Sequence, residues 1–108
     1  MAHYLVQAAY TAEAWAGMVK SPQNRIEAIR PAVEGLGGKV VGGWYAFGEY
    51  DVVAVLEMPD NVSAAAFSLA AAAGGAVKAL KTTPLMTGEE AMAAMQKASG
   101  AGYRPPGR

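Results

Sequence analysis

The sequence predicts an α+β domain in which one four-stranded antiparallel sheet carries its helices on a single face. Three observations support this prediction. Four segments rich in β-branched and aromatic residues alternate with helical segments in the order strand, helix, strand, strand, helix, strand. A Gly-Glu pair links the two middle strands closely enough for an antiparallel hairpin. The 108 residues suit one domain, and a hydrophobic content of 53% is enough to build a core.

The first strand and the first long helix occupy the N-terminal third of the chain. The strand is predicted over Tyr4–Tyr10, and a helical turn is expected within residues 11–20. The helix is predicted to begin at Ser21-Pro22, because Ser is a favoured N-cap and Pro suits the first helical position. Gly37-Gly38 ends it. Its apolar residues recur at spacings of three and four, at Ile26, Ile29, Val33 and Leu36.

The second and third strands are predicted as a tight hairpin, over Lys39–Phe47 and Tyr50–Glu57. Gly48-Glu49 is expected to form a type II′ turn, in which the first residue needs a positive φ. The register of this turn pairs Tyr45 with Val52 and Trp44 with Val53. Since paired side chains lie on the same face, the turn also fixes the two faces of the hairpin.

The C-terminal half completes the pattern. Asp60 is expected to cap a helix that ends at Gly74-Gly75, and a fourth strand is predicted over Val77–Met86. A capping box, Thr87 to Glu90, opens a last helix that extends to about residue 98. Residues 1–98 are thus expected to form one domain, and the Gly- and Pro-rich residues 99–108 a flexible tail.

This order of elements is the split βαβ pattern of the ferredoxin-like fold, with an added C-terminal helix. Right-handed crossovers place both crossover helices on one side of the sheet and leave the other side uncovered. An uncovered sheet face needs a partner, a helix or a ligand. With only 17% charged residues, some exposed surface must be apolar. We therefore expect a homo-oligomer, a dimer or larger, that forms through the open sheet face.

Composition excludes several classes of function. The formal net charge of zero argues against binding of nucleic acid or of an anionic membrane surface. The chain has no cysteine and a single histidine, so neither a thiolate site nor a metal centre is expected, and no cofactor is predicted. The N-terminus lacks the pattern of a signal peptide, and the Ala-rich run is too short to span a membrane, which makes a cytoplasmic location the expectation.

Strand alternation divides the side chains between two faces. The first set is apolar apart from tyrosine hydroxyls and is expected beneath the helices: Tyr45, Phe47, Tyr50, Val52, Ala54 and Leu56. The second set mixes aromatic, acidic and apolar residues and is expected on the open face: Trp44, Ala46, Asp51, Val53, Val55 and Glu57. In the first strand, the polar residues His3 and Gln7 indicate that their set shares the open face.

Asp51 and His3 are the candidate catalytic residues. A carboxylate half-buried beside Trp44 would suit a general base, whereas the structural alternative is that Asp51 caps the hairpin or pairs with Lys81. His3 is an acid–base candidate if it lies on the cleft face, and otherwise a surface residue at a strand end.

Five further residues are candidate ligand contacts. Gln7, Trp44 and Lys81 would orient a substrate, and Trp44 would either stack on a planar ligand or fill a dimer contact. Tyr50 would present its hydroxyl to a ligand or lie in the core. Lys81 with Thr82 and Thr83 would hold an anionic group; the alternative for Lys81 is a solvated cation at a strand edge.

The chain resembles the GYD domain family, named for a Gly-x-Tyr-Asp type of motif that here is Gly48-Glu49-Tyr50-Asp51. Matching features flank this motif in the same order, at Tyr10-Thr11, Pro22 with Asn24-Arg25, Leu36-Gly37-Gly38-Lys39, Pro59-Asp60 and Lys81-Thr82-Thr83. The resemblance implies a small ferredoxin-like domain of the dimeric α+β barrel kind, without an assigned activity.

Three functions fit these observations. The first is a cofactor-free enzyme that transfers protons in an apolar cleft, with Asp51 as the base. The second is a ligand-binding or regulatory module that uses the same cleft without turnover. The third is an assembly protein whose open sheet face is used only for subunit contacts.

Overall fold

A computed structural model describes residues 1–107, which form four strands and four helices. In chain order the elements are β1 (Ala2–Tyr10), α1 (Ala12–Lys20), α2 (Arg25–Gly35), β2 (Lys39–Tyr45), β3 (Val52–Met58), α3 (Asn61–Ala73), β4 (Val77–Leu85) and α4 (Gly88–Ser99). Of these described residues, no helix is long and apolar enough to cross a bilayer.

The four strands form one sheet in the order β2-β3-β1-β4, and each neighbouring pair is antiparallel. This confirms the predicted α+β class, and the strand order is that of a ferredoxin-like fold. The predicted register of the hairpin is also observed, with Tyr45 opposite Val52 and Trp44 opposite Val53.

The predicted two-residue turn at Gly48-Glu49 is not observed, so this prediction was wrong. β2 ends at Tyr45 and β3 begins at Val52, so a longer connection replaces the two-residue loop. Within the described chain, the glycines with positive φ are Gly37, Gly75, Gly102 and Gly107, and therefore Gly48 does not form a type II′ turn. One further bond, from the Ala46 N–H to the Asp51 carbonyl at 2.8 Å, keeps the base of the connection closed.

Two helix starts also differ from the sequence prediction. Residues 12–20 form the complete helix α1, because the Thr11 hydroxyl caps it by accepting a bond from the Ala14 N–H at 3.0 Å. α2 begins at Arg25 rather than at Ser21-Pro22, since Asn24 is its N-cap and accepts from the Ile26 N–H. The Asp60 cap of α3 and the Thr87–Glu90 capping box of α4 are as predicted.

The core lies between the sheet and the two helices α2 and α3. Val33 of α2 and Phe67 of α3 are buried against strand residues of a single parity. Those strand residues are Tyr4, Val6, Val40, Ala54 and Leu56, together with Met58. The opposite parity carries Leu5, Gln7, Val53 and Val55, which are only partly buried. Helices therefore cover this face at Ala54 and Leu56, as alternation predicted, and the other face is open. Phe47 was expected beneath the helices and is instead fully exposed, because it lies in the connection beyond the end of β2.

The C-terminal part of the chain extends from this body. No residue of α4 is buried, and the described chain measures 58 × 34 × 22 Å. Its radius of gyration is 17.4 Å, whereas a compact domain of this length has about 13 Å. Residues after α4 form turns and irregular chain up to residue 107. Arg108, the last residue of the predicted tail, lies outside the described residues.

Candidate functional site

The open face brings three of the predicted ligand contacts into one row. Trp44 on β2 lies opposite Val53 on β3, Val53 lies opposite Gln7 on β1, and Gln7 lies opposite Lys81 on β4. Neighbouring strands are about 4.8 Å apart, so Gln7 and Lys81 are adjacent while Trp44 is two strands from Gln7. The Trp44 side chain is 63% exposed, which leaves the row a surface and not an enclosed cleft.

His3 lies on the same open face but away from this row. Its Nε2 is 3.1 Å from Oε1 of Glu57, its cross-strand neighbour, and both side chains are partly exposed. Gln7 is four positions along β1 from His3, which is about 13 Å of extended chain. His3 therefore has a partner of its own and does not contact the Trp44 row.

The Asp51 carboxylate is not beside Trp44, contrary to its expected position. Asp51 precedes β3, and its Oδ2 accepts hydrogen bonds from the Tyr10 backbone N–H at 2.8 Å and from Trp15 Nε1 at 3.1 Å. The Asp51 N–H donates to the carbonyl of Ala8 at 2.8 Å. Strand alternation does not apply here, because the residue lies outside the regular strand and its carboxylate is directed to the end of β1.

An aromatic cluster surrounds this carboxylate on the helix side of the sheet. The Trp15 ring meets Tyr10 edge to face, with centroids 5.6 Å apart, and lies 6.5 Å from the ring of Tyr45. The Tyr45 hydroxyl accepts a hydrogen bond from the Arg25 N–H at the first turn of α2, at 2.9 Å. The Asp51 carboxylate thus holds the Trp15 indole, and the Trp15 ring in turn packs against Tyr10 and Tyr45.

Two other predicted ligand contacts are apart from the Trp44 row. The Thr82 hydroxyl shares a 2.7 Å hydrogen bond with the Ser68 hydroxyl of α3. Thr82 therefore faces the helices, on the opposite side of the sheet from Lys81, so these two residues do not form one anion site. Tyr50 lies half-buried in the connection between β2 and β3, outside both strands.

A cavity of about 240 Å³ lies on the covered side, between the sheet and the helices α2 and α3. Small residues near the C-terminal end of α3 leave this space unfilled: Ala70, Ala71, Gly74 and Ala76 line it. The remaining apolar walls come from the sheet, α2 and α3, and include Val6, Ala8, Ile26, Ile29, Phe67 and Leu80. This apolar cavity thus lies beneath the helices, on the side of the sheet away from the open face, and is partly open to solvent where the exposed Gly74 and Ala76 line it.

Tyr10 and Arg25 supply the polar groups of this cavity. Burial raises the pKa of the Tyr10 phenol above its ordinary value, and the nearby Tyr45 adds to the increase. The Arg25 guanidinium, which is close to the Tyr10 hydroxyl, acts in the opposite direction. At neutral pH the Tyr10 hydroxyl is therefore a neutral hydrogen-bond donor beside a permanent cation.

Neither the cavity nor Arg25 was found by sequence reasoning. Arg25 was noted only as part of the family resemblance, without a role, because the sequence placed it inside a predicted helix. The run of alanines in α3 was the one available sign, since small side chains on a core-facing helix leave space against the sheet.

These features define a small α+β domain with a ferredoxin-like strand order. Its single antiparallel sheet is covered on one face by α2 and α3, and the cavity lies between the sheet and these helices. The family model described as GYD domain matches residues 4–95, which is most of the 108-residue chain. The chain therefore belongs to the GYD domain family, and the matched range includes the Gly48–Asp51 motif. No curated protein matches the chain.

Proposed function

We propose that this protein binds a small molecule in the cavity beneath α2 and α3, and that the ligand has a compact apolar body and one anionic group. The observation that carries this proposal is the pairing of apolar walls with a single polar end. An apolar cavity without an occupant forfeits dispersion contacts around its lining. A ligand that fills it regains them and removes its own apolar surface from water.

The size of the cavity limits the ligand. Its 240 Å³ is below the usual range of ligand pockets, which begins at about 300 Å³. A medium-chain or monocyclic molecule suits such a volume, and a nucleotide does not. This supports a metabolite-sized ligand with few polar atoms.

The polar end supports an anion as the head group. Arg25 supplies a permanent positive charge, and the Tyr10 hydroxyl supplies a neutral donor. Charge-assisted hydrogen bonds from arginine to a carboxylate are among the strongest in proteins. A neutral ligand would leave the guanidinium without a counter-charge at the mouth of an apolar cavity.

Binding without turnover is the function we favour, and proton transfer is the second candidate. The Asp51 Oδ2 already accepts two hydrogen bonds, from Tyr10 and Trp15, so a base role would have to use the other carboxylate oxygen. We assign Asp51 to positioning Trp15 and the end of β1 around the cavity. Gln7, Trp44, Lys81 and His3 belong to the open face, which we propose serves a homo-oligomer.

Ligand binding in the cavity is tested by filling part of the cavity with a larger side chain. Octanoate titrated into the wild-type protein should give saturable heat in isothermal titration calorimetry. Ala71→Leu places a larger side chain in the cavity and should weaken octanoate binding at least tenfold. The matched control is Ala72→Leu on the same helix, an exposed position that does not line the cavity, and it should leave binding unchanged.

The anionic head group is tested separately. Arg25→Gln should weaken octanoate binding about 10- to 100-fold, because hydrogen bonds to charged groups contribute about 1.5–3 kcal/mol. The same variant should bind octan-1-ol as wild type does. Equal affinity of wild type and Ala71→Leu for octanoate would exclude the cavity as the site.

A further inference from the structure

A second groove adjoins the cavity at its polar end. This groove has a volume of about 360 Å³ and shares Tyr10, Arg25 and Ala76 with the cavity. From the shared residues it continues along α1, where Glu13 and Met18 line it. A ligand that fills the cavity and meets Arg25 with its polar end therefore has the groove directly beyond that end.

Glu13 is the acidic side chain of this groove. The Thr11 hydroxyl caps α1, which places Glu13 in the first turn of the helix, three positions after Tyr10 at the end of β1. The Trp15 indole holds the same part of α1 by donating to Asp51. The groove thus carries the negative charge of Glu13 as well as the positive charge of Arg25.

Neither charge is balanced by another side chain. Among residues 1–107, Glu13 and Arg25 form no ion pair with each other or with any other residue. Nη1 of Arg25 donates to the neutral Gln23 amide oxygen at 3.1 Å. Arg25 is also the first residue of α2, where the helix dipole favours an acidic side chain over a basic one. Helix stability therefore does not account for this arginine, whereas an anionic group on a ligand does.

We propose that the ligand is an α-amino acid with an apolar side chain, bound with its carboxylate on Arg25 and its ammonium group on Glu13. The inference rests on the proposed function, from which it takes the cavity and the anionic group, and it adds the cationic group. An α-amino acid presents both charges next to one apolar side chain, as the groove and the cavity together require. A six-carbon or monocyclic side chain suits the 240 Å³ of the cavity.

The acidic side chain is necessary to this arrangement. In an α-amino acid the ammonium group is attached next to the carboxylate, so a carboxylate on Arg25 brings the ammonium group close to the guanidinium. Like charges at such a separation repel each other. Glu13, which lines the same groove, offsets the repulsion by supplying a negative charge for the ammonium group.

Octanoate and L-2-aminooctanoate test this inference, because they differ only in the ammonium group. In isothermal titration calorimetry, wild type should bind L-2-aminooctanoate about fivefold more tightly than octanoate, the upper range for an ion pair with an exposed carboxylate. Glu13→Gln should bind L-2-aminooctanoate no more tightly than octanoate, and its affinity for octanoate should not fall. The matched control is Glu34→Gln, at an exposed position of α2 that lines neither space, and it should keep the wild-type preference.

Two results would overturn this inference and leave the cavity as the proposed site. One is that wild type binds octanoate, and loses it in Ala71→Leu, but binds L-2-aminooctanoate equally or more weakly. The other is that Glu13→Gln keeps the fivefold preference, which would assign the ammonium group to another acceptor. If wild type bound neither ligand, the proposed function would fail and this inference with it.

Discussion

The Asp51 carboxylate joins three parts of the chain that are distant in sequence. It follows the connection after β2, it accepts from the end of β1 through the Tyr10 N–H, and it accepts from α1 through the Trp15 indole. Trp15 then contacts Tyr10, which lines the cavity. The acidic residue of the GYD motif thus holds the end of β1 and the Trp15 indole, which contacts the cavity-lining residue Tyr10.

Asp51→Ala should lower the free energy of unfolding by about 2 kcal/mol, because it removes a charged acceptor from two donors. Trp15→Phe removes the indole donor and keeps an aromatic ring. In a double-mutant cycle measured by urea unfolding, the two changes should couple by about 1 kcal/mol. If the effects of the two substitutions on the free energy of unfolding were fully additive, the hydrogen bond from Trp15 to Asp51 would not be a stabilising contact.

Tyr10 should make the stability of the folded protein depend on pH in the alkaline range. Burial raises the pKa of its phenol in the folded state, so the unfolded state loses this proton first as pH increases. The contribution of the Tyr10 phenol to the free energy of unfolding is therefore fully present below about pH 10, the ordinary pKa of tyrosine. It is lost as the pH rises through the pKa of Tyr10 in the folded state.

The predicted result is that Tyr10→Phe shows a shallower fall in melting temperature above pH 10 than wild type. Tyr103, which is 78% exposed, provides the matched control, and Tyr103→Phe should keep the wild-type slope. A Tyr10→Phe profile parallel to that of wild type would show that burial of this phenol does not contribute.

Within β2, the consecutive glycines Gly42 and Gly43 face opposite sides of the sheet. A Cβ on Gly42 would meet the Trp44 ring at 3.0 Å on the open face, and a Cβ on Gly43 would meet Cγ2 of Ile26 in α2 at 2.8 Å. The register between β2 and β3 also shifts between Val40 and Gly42. Because of that bulge, Val40 still points to the core while Gly42 faces outward.

Gly43→Ala should therefore destabilise the protein by about 1–3 kcal/mol, the usual cost of overpacking a core. Gly42→Ala is the matched control and should cost less, since the exposed Trp44 side chain can move aside. Chemical denaturation of both variants measures the difference. If both variants lost the same free energy of unfolding, α2 would not pack against Gly43 as closely as described.

Element order, the register of the β2–β3 hairpin and two of the four helix N-caps were predictable because they depend on local patterns. The capping residues Asp60 and Thr87 identify two helix starts through their own side chains. The start of α2 was not predictable in this way, because Ser21, Pro22 and Asn24 are all acceptable start signals and only Asn24 forms the cap bond. The Gly48 turn failed because the register fixes which strand residues pair and leaves the loop conformation open.

The candidate site was predictable only where regular alternation holds. Gln7, Trp44 and Lys81 share a row because each lies inside a strand. Asp51 lies before β3, and its carboxylate is directed by long-range donors from Tyr10 and Trp15. The cavity was missed for a similar reason, because an unfilled space depends on how α2 and α3 sit over the sheet.

At the scale of the whole molecule, the sheet separates two surfaces with different proposed roles. The covered side holds an apolar cavity with Tyr10 and Arg25 at its polar end. The other side exposes Trp44 and the valines of β3, and this is the surface that we propose for a homo-oligomer. Since the two surfaces share strands but no side chains, a ligand in the cavity and a dimer contact on the open face are compatible.

The most direct measurement is a methyl NMR titration with octanoate, on protein labelled at its isoleucine, leucine and valine methyl groups. Binding in the cavity predicts that chemical-shift changes concentrate on Val6, Ile29 and Leu80, which line it. Changes that concentrate instead on Leu5, Val53 and Val55 would place the ligand on the open face of the sheet and contradict the proposed site.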